Sequence, residues 1–224
     1  MNLDCRYPTR AASPRPQVTV LVGRDAAYAR VLRELRGGRF DVVHFSGASH
    51  FDDSGSHLLL HDGKVQASEL VTLLIKRPPS LLVMNAVYTG FVPVFCEAFA
   101  VPLQVGSSFD DHYRALRRHR IGLERAAARA GVGSFVGVMG RTMDDAAGRV
   151  GQVLHERLLA GRTVAEALWD ARRAAMKMPG AGRPESFDTT PLQFAMSGYA
   201  DLRLVRSPGP TRRKRAPARK PASS

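Results

Sequence analysis

Two short segments are apolar runs that end in small and polar residues, as the strands of an active site would, but without catalytic side chains. The first is Asp41-Val-Val-His-Phe-Ser-Gly-Ala-Ser49, and the second is Leu81-Leu-Val-Met-Asn-Ala-Val-Tyr-Thr-Gly90. Each pattern is typical of a buried parallel strand that ends in a loop. Because sites in open α/β sheets lie at the carboxyl ends of strands, a catalytic side chain would be expected at each of these two places. In both segments the residue at that position cannot do acid–base or nucleophilic work.

The first segment also begins a stretch rich in imidazoles and carboxylates, which are metal ligands. Their spacing matches no compact ligand motif, so we predict neither a metal nor a cofactor. His44 lies inside a strand pattern, where a hydrogen-bonded core histidine is the usual outcome. The residues concerned are His44, His50, His57, His61, Asp52, Asp53 and Asp62.

The order and spacing of these motifs resemble the CHAT-domain family of cysteine peptidases, which belongs to the caspase and separase clan. His44-Phe-Ser-Gly-Ala-Ser49 is similar to the family's His-Phe-(Ala/Ser)-Gly-His-Gly. Asn85-Ala-Val-Tyr-Thr-Gly90 is similar to (Ser/Asn)-Ala-Cys-x-Thr-Gly. The resemblance extends from Gln17 to Leu204 and continues through Leu58–Gly63, Ala130–Val138, Leu158–Arg172 and Phe194–Arg203. It implies a caspase-like α/β fold, with a mostly parallel sheet and helices on both faces.

Both catalytic positions of the family are replaced in this chain. The general base corresponds to Ala48 and the nucleophile to Val87. A thiolate attacks the carbonyl in this chemistry and an imidazole manages its proton, and neither a methyl nor an isopropyl group can do so. We therefore predict a catalytically inactive pseudopeptidase that acts as a protein-binding or regulatory subunit. The candidate groove residues are His44, Ser49, His50, Asn85 and Tyr88.

Other readings remain open at this stage. The sequence could belong to an active cysteine endopeptidase shown in an inactivated form, or to one with relocated residues, in which His50 would pair with Cys96. Whether the loss of the two residues is natural or engineered is left open. The resemblance implies a protein partner, either an active peptidase or a repeat protein of the same system.

The alternation of strand and helix patterns predicts the elements that position these loops. We expect a helix over Glu69–Lys76 capped by Ser68. Asp110–Ala130, which carries several arginines, is expected to form another helix or a pair of helices cut near Gly122. A third should cover Asp145–Ala160 and end at Gly161, and Thr163-Val-Ala-Glu166 forms a capping box that begins a fourth. In that last helix Leu168, Ala171 and Trp169 are expected to pack inward. The predicted strands are Gln17–Gly23, followed by a helix capped by Asp25, and Phe40–Ser46, Leu81–Asn85, Ser134–Val138, Phe194–Ser197 and Leu202–Val205.

Three regions are predicted along the chain: a flexible arm over 1–16, the CHAT-type domain over 17–206 and a disordered basic tail over 207–224. Members of the family usually begin with a further strand and helix before the strand at Val18–Val22. The pattern leaves open whether this first unit is missing, is supplied by a partner or was lost with a shortened start.

The chain has 224 residues, a net charge of +13 and only two cysteines, Cys5 and Cys96. This composition suits one α/β domain, excludes a disulfide framework and favours a cytoplasmic protein. No apolar run is long enough to span a membrane. The basic tail, which could contact nucleic acid by counterion release, gives the third hypothesis of an anion-binding adaptor. The residues that would carry it are Arg212, Arg213, Lys214 and Arg215.

Overall fold

The central feature of the fold is a four-stranded sheet in the order β1-β5-β6-β7. The computed structural model describes residues 16–52, 55–86, 89, 122–140, 142, 144–177 and 189–204. Strands β1 (Val42–Ser46), β5 (Leu81–Asn85) and β6 (Ser134–Val138) run parallel, and β7 (Phe194–Gly198) is antiparallel to β6. This mixed α/β arrangement, with a mostly parallel sheet between helices, confirms the predicted fold class.

Helices cover both faces of the sheet. One core cluster joins Leu81, Val83 and Val136 to α4 (Asp144–Leu159) and α5 (Val164–Met176). The opposite cluster joins Leu82, Met84 and Phe135 to α1, α2 and α3. Alternate residues of one strand therefore pack into the two cores, because successive side chains of a strand point to opposite faces of the sheet. The remaining helices are α1 (Tyr28–Gly37), α2 (Ala67–Leu74), α3 (Leu123–Ala130) and the short α6 (Thr190–Gln193).

A separate three-stranded antiparallel sheet follows β1 in the chain. It consists of β2 (Ser49–Asp52), β3 (Gly55–Leu59) and β4 (Lys64–Gln66). Leu58–Gly63, one of the segments of the family resemblance, spans the end of β3 and the turn that leads into β4. Leu58 and Val65 face each other in the ladder and are buried against the α2 side of the core.

The prediction of a strand at Gln17–Gly23 is wrong. Residues 16–22 form neither helix nor strand, and Gly23–Ala26 forms a 3-10 turn. Leu21–Leu204 is one compact unit, and residues 16–20 belong to a second unit. In that second unit Val18 and Val20 are 64% and 67% exposed. The β-branched run predicted a strand, but these residues pair with no strand that the structure describes.

Two predicted helix caps are also wrong, and each has a physical reason. The α1 N-cap is Ala27, and the backbone N–H of Tyr28 donates instead to Asp62 Oδ1 at 2.6 Å. Asp25 forms an ion pair with Arg30 at 2.5 Å. Helix α2 begins at Ala67, one residue before Ser68, so that residue lies inside the helix.

Helix α5 follows the sequence closely, with one exception. Thr163 accepts a hydrogen bond from the Glu166 backbone, and the Glu166 side chain accepts one from the Thr163 backbone, which confirms the capping box. Leu168 and Ala171 are buried. Trp169 is 58% exposed, so the prediction that it packs inward is wrong. It lies beyond the stripe of small residues through which α5 contacts the core.

The end of the chain departs from prediction in one further element. Leu202–Val205 forms no strand over its described residues, and only the bridge between Thr163 and Arg203 marks its place. Among the helices that the structure describes, none has the length and apolar character needed to cross a bilayer.

Candidate functional site

The carboxyl ends of β1 and β5 lie side by side. Ser46 pairs with Asn85 in the parallel ladder, and the Gly47 N–H donates to the Asn85 carbonyl at 3.3 Å. The two chains therefore leave the sheet at the same edge, where the sequence predicts a site. Ala48 follows as an exposed residue, whereas Ala86 is 2% exposed. Val87 and Tyr88 lie outside the described residues.

The backbone of Ala48 is fixed by the hairpin that follows it. The Leu59 N–H donates to the Ala48 carbonyl at 2.9 Å, and Ser49 pairs with Leu58 in the ladder. His50 pairs with His57, and the two ring centroids are 5.3 Å apart. The exposed imidazole of His50 thus lies over the three-stranded sheet. Ala48, which the motif resemblance matches to the family's general base, therefore has its carbonyl held by the hairpin and carries only a methyl group.

Asn85 turns its amide toward helix α4. Its Nδ2 donates to the Ala147 carbonyl at 3.2 Å, and the residue is 8% exposed. Gly151 lies one turn further along the helix, and a Cβ there would come 3.8 Å from the same Nδ2. Asn85 therefore fastens the end of β5 to α4, because its side-chain donor is already used within the protein.

A histidine pair occupies the same side of the sheet. His155 of α4 and His44 of β1 place Nε2 and Nδ1 2.8 Å apart, with ring centroids at 4.8 Å. Desolvation and, to a lesser extent, His155 lower the pKa of His44 to about 3, and burial lowers the pKa of His155. One ring must donate and the other accept, which requires a neutral acceptor.

His44 is not fully shielded from water, because it lies on the outermost described strand of the sheet. The direction of its pKa shift, toward a neutral ring at pH 7, therefore matters more than the size of the shift. The prediction of a hydrogen-bonded histidine fits this geometry. The pair holds β1 to α4, and Nδ1 of His44 is engaged in this internal hydrogen bond.

Thr89 is a positioning residue that sequence reasoning missed. Its hydroxyl lies 2.8 Å from the carbonyl oxygens of both Met84 and Ala86, and it accepts from the Val138 N–H at 3.1 Å. The residue is fully buried. It therefore ties the chain that follows β5 to the end of β6. A threonine two residues after the nucleophile position was visible in the motif, but its contacts were not.

A groove opens beside Ala48, with a volume of about 350 Å³. Its walls come from the turn before α1, the end of β1 and the β3–β4 turn, all within the unit Leu21–Leu204. The lining combines apolar side chains with polar groups, and His61 is its titratable side chain. The residues that line it are Leu21, Val22, Gly23, Ala26, Phe45, Ser46, Gly47, Leu59, Leu60 and His61.

The histidines and carboxylates of the first motif do not converge on one point. Within the part of the chain that the structure describes, no group of three or more His, Cys, Asp or Glu side chains could hold a metal ion. His44 faces α4, and His50 lies in the ladder opposite His57. Cys5, Cys96 and the basic tail lie outside the described residues, so the structure does not test the predictions made for them.

Comparison with known proteins gives one family. A family model described as "CHAT domain" matches residues 10–193, which is most of the chain. A search of curated proteins gives no match. The matched range includes β1, β5 and β6. It also includes Ala48 and Val87.

Proposed function

Because the chain belongs to the CHAT-domain family, a caspase-like group of peptidase folds, we propose that it is a catalytically inactive member that binds or regulates another protein. One observation carries this proposal. The two positions that the motif resemblance matches to the family's general base and nucleophile hold Ala48 and Val87. Without an imidazole and a thiol, nucleophilic attack on a carbonyl has neither the attacking atom nor the group that accepts its proton.

The geometry around Ala48 supports the inactive reading, because the described imidazoles nearby have other contacts. His44 is held by His155, and its lowered pKa reports a ring adapted to an internal hydrogen bond. His50 lies in β2 opposite His57. A general base must lie within hydrogen-bond reach of its nucleophile, and both cysteines of the chain, Cys5 and Cys96, lie outside the described residues.

The groove beside Ala48 supports the binding part of the proposal. A cleft that offers several apolar side chains and one titratable group, His61, suits recognition of side chains rather than acid–base chemistry. Phe45 and Leu60 contribute to its walls from two different elements, and Leu59 at its rim is 43% exposed. An extended peptide with apolar side chains is the ligand that fits this lining best.

Hydrolysis is tested by restoring the missing groups. The wild-type protein should not cleave a library of peptides, and it should not react at Cys96 with a thiol-reactive peptide probe. The double variant Ala48→His, Val87→Cys should react at residue 87, whereas Val87→Cys alone should react more slowly because its thiol lacks a base. Cleavage by the wild-type protein, or reaction at Cys96 that depends on His50, would show an active enzyme.

Binding is tested by selecting peptides from a randomised library against the wild-type protein. Peptides bound in the groove should lose at least about tenfold in affinity for Leu59→Glu, since a charge would then face an apolar ligand. Ile75→Glu is the matched control, because Ile75 is an equally apolar residue, 56% exposed, and does not line the groove. Equal loss in both variants would place the ligand elsewhere.

A further inference from the structure

The amino ends of the parallel strands form the edge of the sheet opposite the candidate site. Helices α1, α2 and α3 each lead through a short loop into β1, β5 and β6, so their carboxyl ends and these three loops lie at this edge. Hydrogen bonds join the loops to the neighbouring strands: the Leu81 N–H donates to the Asp41 carbonyl at 3.0 Å, and the Ser134 N–H donates to the Ser80 carbonyl at 2.9 Å. The edge is therefore one continuous surface within the unit Leu21–Leu204.

Exposed basic side chains gather along this edge. Each of the three connections between helix and strand contributes at least one of them, and we call the set the basic edge. Four of its five members are arginines. The basic edge consists of Arg36 and Arg39 from the end of α1 and the loop after it, Lys76 and Arg77 from the loop after α2, and Arg129 from the last turn of α3.

Helix stability explains only part of the basic edge. A cation near the carboxyl end of a helix complements the helix dipole, and the effect falls off within the last turn. Arg36 and Arg129 lie in such last turns. Arg39 and Arg77 follow the ends of α1 and α2 by two and three residues, so they lie outside that range.

The described carboxylates leave the basic edge positively charged. Glu34 and Asp41 belong to the end of α1 and the loop after it, and Asp201 follows β7 at the same edge. None of the five cations forms an ion pair with a carboxylate of the described residues. Cations held close together without counter-charges create a positive potential that attracts polyanions.

We propose that the basic edge binds the phosphate backbone of a single-stranded nucleic acid. Strands β1, β5 and β6 are neighbours about 4.8 Å apart, so their loops set the cations in a row about 10 Å long. A row suits a linear polyanion better than the plane of a lipid surface. Each guanidinium can hold a phosphate through two parallel hydrogen bonds, and release of counterions from the strand drives the association.

An exposed aromatic ring adjoins the row at its β6 end. Tyr199 is 69% exposed, and its backbone N–H donates to the Gly133 carbonyl at 3.0 Å, in the loop between α3 and β6. Unpaired bases stack on such rings while basic side chains follow the backbone. A single strand uses both the ring and the charges, whereas an acidic peptide uses the charges alone.

This surface is independent of the groove beside Ala48, which lies at the carboxyl ends of the strands. The two ligands could therefore bind the same molecule at once. A negative result for peptide binding in the groove leaves the basic edge untouched, and the reverse also holds.

The test measures the fluorescence anisotropy of a labelled strand of about 20 thymidine nucleotides, titrated with the full chain at several salt concentrations. The triple variant Arg39→Gln, Lys76→Gln, Arg77→Gln should bind at least about tenfold more weakly at about 0.1 M salt. Its slope of log affinity against log salt should be shallower by about 2, because each lost phosphate contact removes about 0.7. Tyr199→Ala should lose at least about fivefold in affinity through the missing stacking contact.

The matched control removes the same charge from the opposite face of the sheet. It combines Arg149→Gln, Arg173→Gln and Lys177→Gln, which change α4, α5 and the residue after α5. Its affinity should stay within about twofold of the wild-type value, with an unchanged slope. Acetylation of lysines, read by mass spectrometry, should show protection of Lys76 by the bound strand and none of Lys177.

Several results would overturn the proposal. Equal losses in the two triple variants would show an effect of net charge alone. A variant of the basic edge that unfolds at a lower temperature but keeps its affinity would show that these cations serve only the helices. Full affinity in Tyr199→Ala would contradict a single strand. Binding of phosphatidylserine vesicles or polyglutamate that needs the same three residues, without binding of the oligonucleotide, would assign the edge to a lipid surface or an acidic protein.

Discussion

The histidine pair between β1 and α4 predicts a specific sensitivity to acid. His44 has its pKa lowered from 6.5 to about 3, mainly by desolvation. A group whose pKa is lower in the folded protein binds more protons when the chain unfolds, so its contribution to stability is full above about pH 6.5 and is lost as the pH falls. Acidification should therefore weaken the contact between the sheet and α4.

The size of this effect follows from the shift. At about pH 5, roughly 1.5 units below the unfolded pKa, a fully realised shift would cost about 2 kcal/mol. Because His44 keeps contact with water, we reduce this to about 1 kcal/mol. The variant His44→Gln removes the titrating ring but keeps a polar partner for His155. Between about pH 8 and about pH 5, both proteins should lose stability. The free energy of unfolding should fall by about 1 kcal/mol less in the variant than in the wild-type protein.

The assay is urea unfolding followed by far-UV circular dichroism at several pH values. His61→Gln is the control, because it removes an exposed imidazole in the β3–β4 turn that does not contact the pair. The reasoning would be refuted if His44→Gln and the wild-type protein lost equal stability on acidification. It would also be refuted if the wild-type protein became more stable as the pH fell, since His44 would then be favoured in its charged form.

Three further predictions follow from the structure and the sequence. Thr163→Ala should lower the free energy of unfolding by about 1 kcal/mol through loss of the capping box, whereas Thr163→Ser should retain most of it, as chemical denaturation would show. Gly151→Ala should leave the protein as stable or raise its stability by up to about 1 kcal/mol, because a Cβ there would meet His44 at an ordinary 3.5 Å; a clear fall in the thermal midpoint would contradict this. If the basic tail binds nucleic acid, deleting 211–221 should weaken binding and flatten its dependence on salt; binding by the full chain that does not respond to salt would eliminate that role.

The strands of the central sheet could be predicted from the sequence because their burial is nearly complete. Leu81–Asn85 and Ser134–Val138 have the predicted bounds, since short apolar runs between turn residues leave few alternatives. The capping box at Thr163 was equally clear, because all of its partners lie within four residues. Local patterns with local partners were therefore read correctly.

Apart from the cap predicted at Ser68 and the strand predicted at Gln17–Gly23, the errors concern contacts between residues that are distant in the sequence. The cap of α1 comes from Asp62, which lies 34 residues after Tyr28, so no local pattern indicates it. The pair His44 and His155 spans 111 residues, and helix spacing alone could not foretell it. Trp169 was expected inside because it is large and apolar, but the core side of α5 is filled by alanines and Leu168.

The candidate site was predictable in position but not in detail. Motif order placed the ends of β1 and β5 at one edge, and the bond between Gly47 and Asn85 agrees with that expectation. The direction of the Asn85 amide and the role of Thr89 depend on helix α4 and strand β6 packing around them. Such contacts arise only once the sheet has formed.

Peptide mapping by mass spectrometry, after incubation of the wild-type chain with a thiol-reactive peptide probe, addresses the inactive scaffold most directly. We predict that Cys96 reacts no faster than the same cysteine in the urea-unfolded protein, and that His50→Ala leaves its rate unchanged, because no imidazole activates it. Rapid labelling of Cys96 in the folded protein alone, abolished by His50→Ala, would contradict the inactive assignment and establish a relocated catalytic pair.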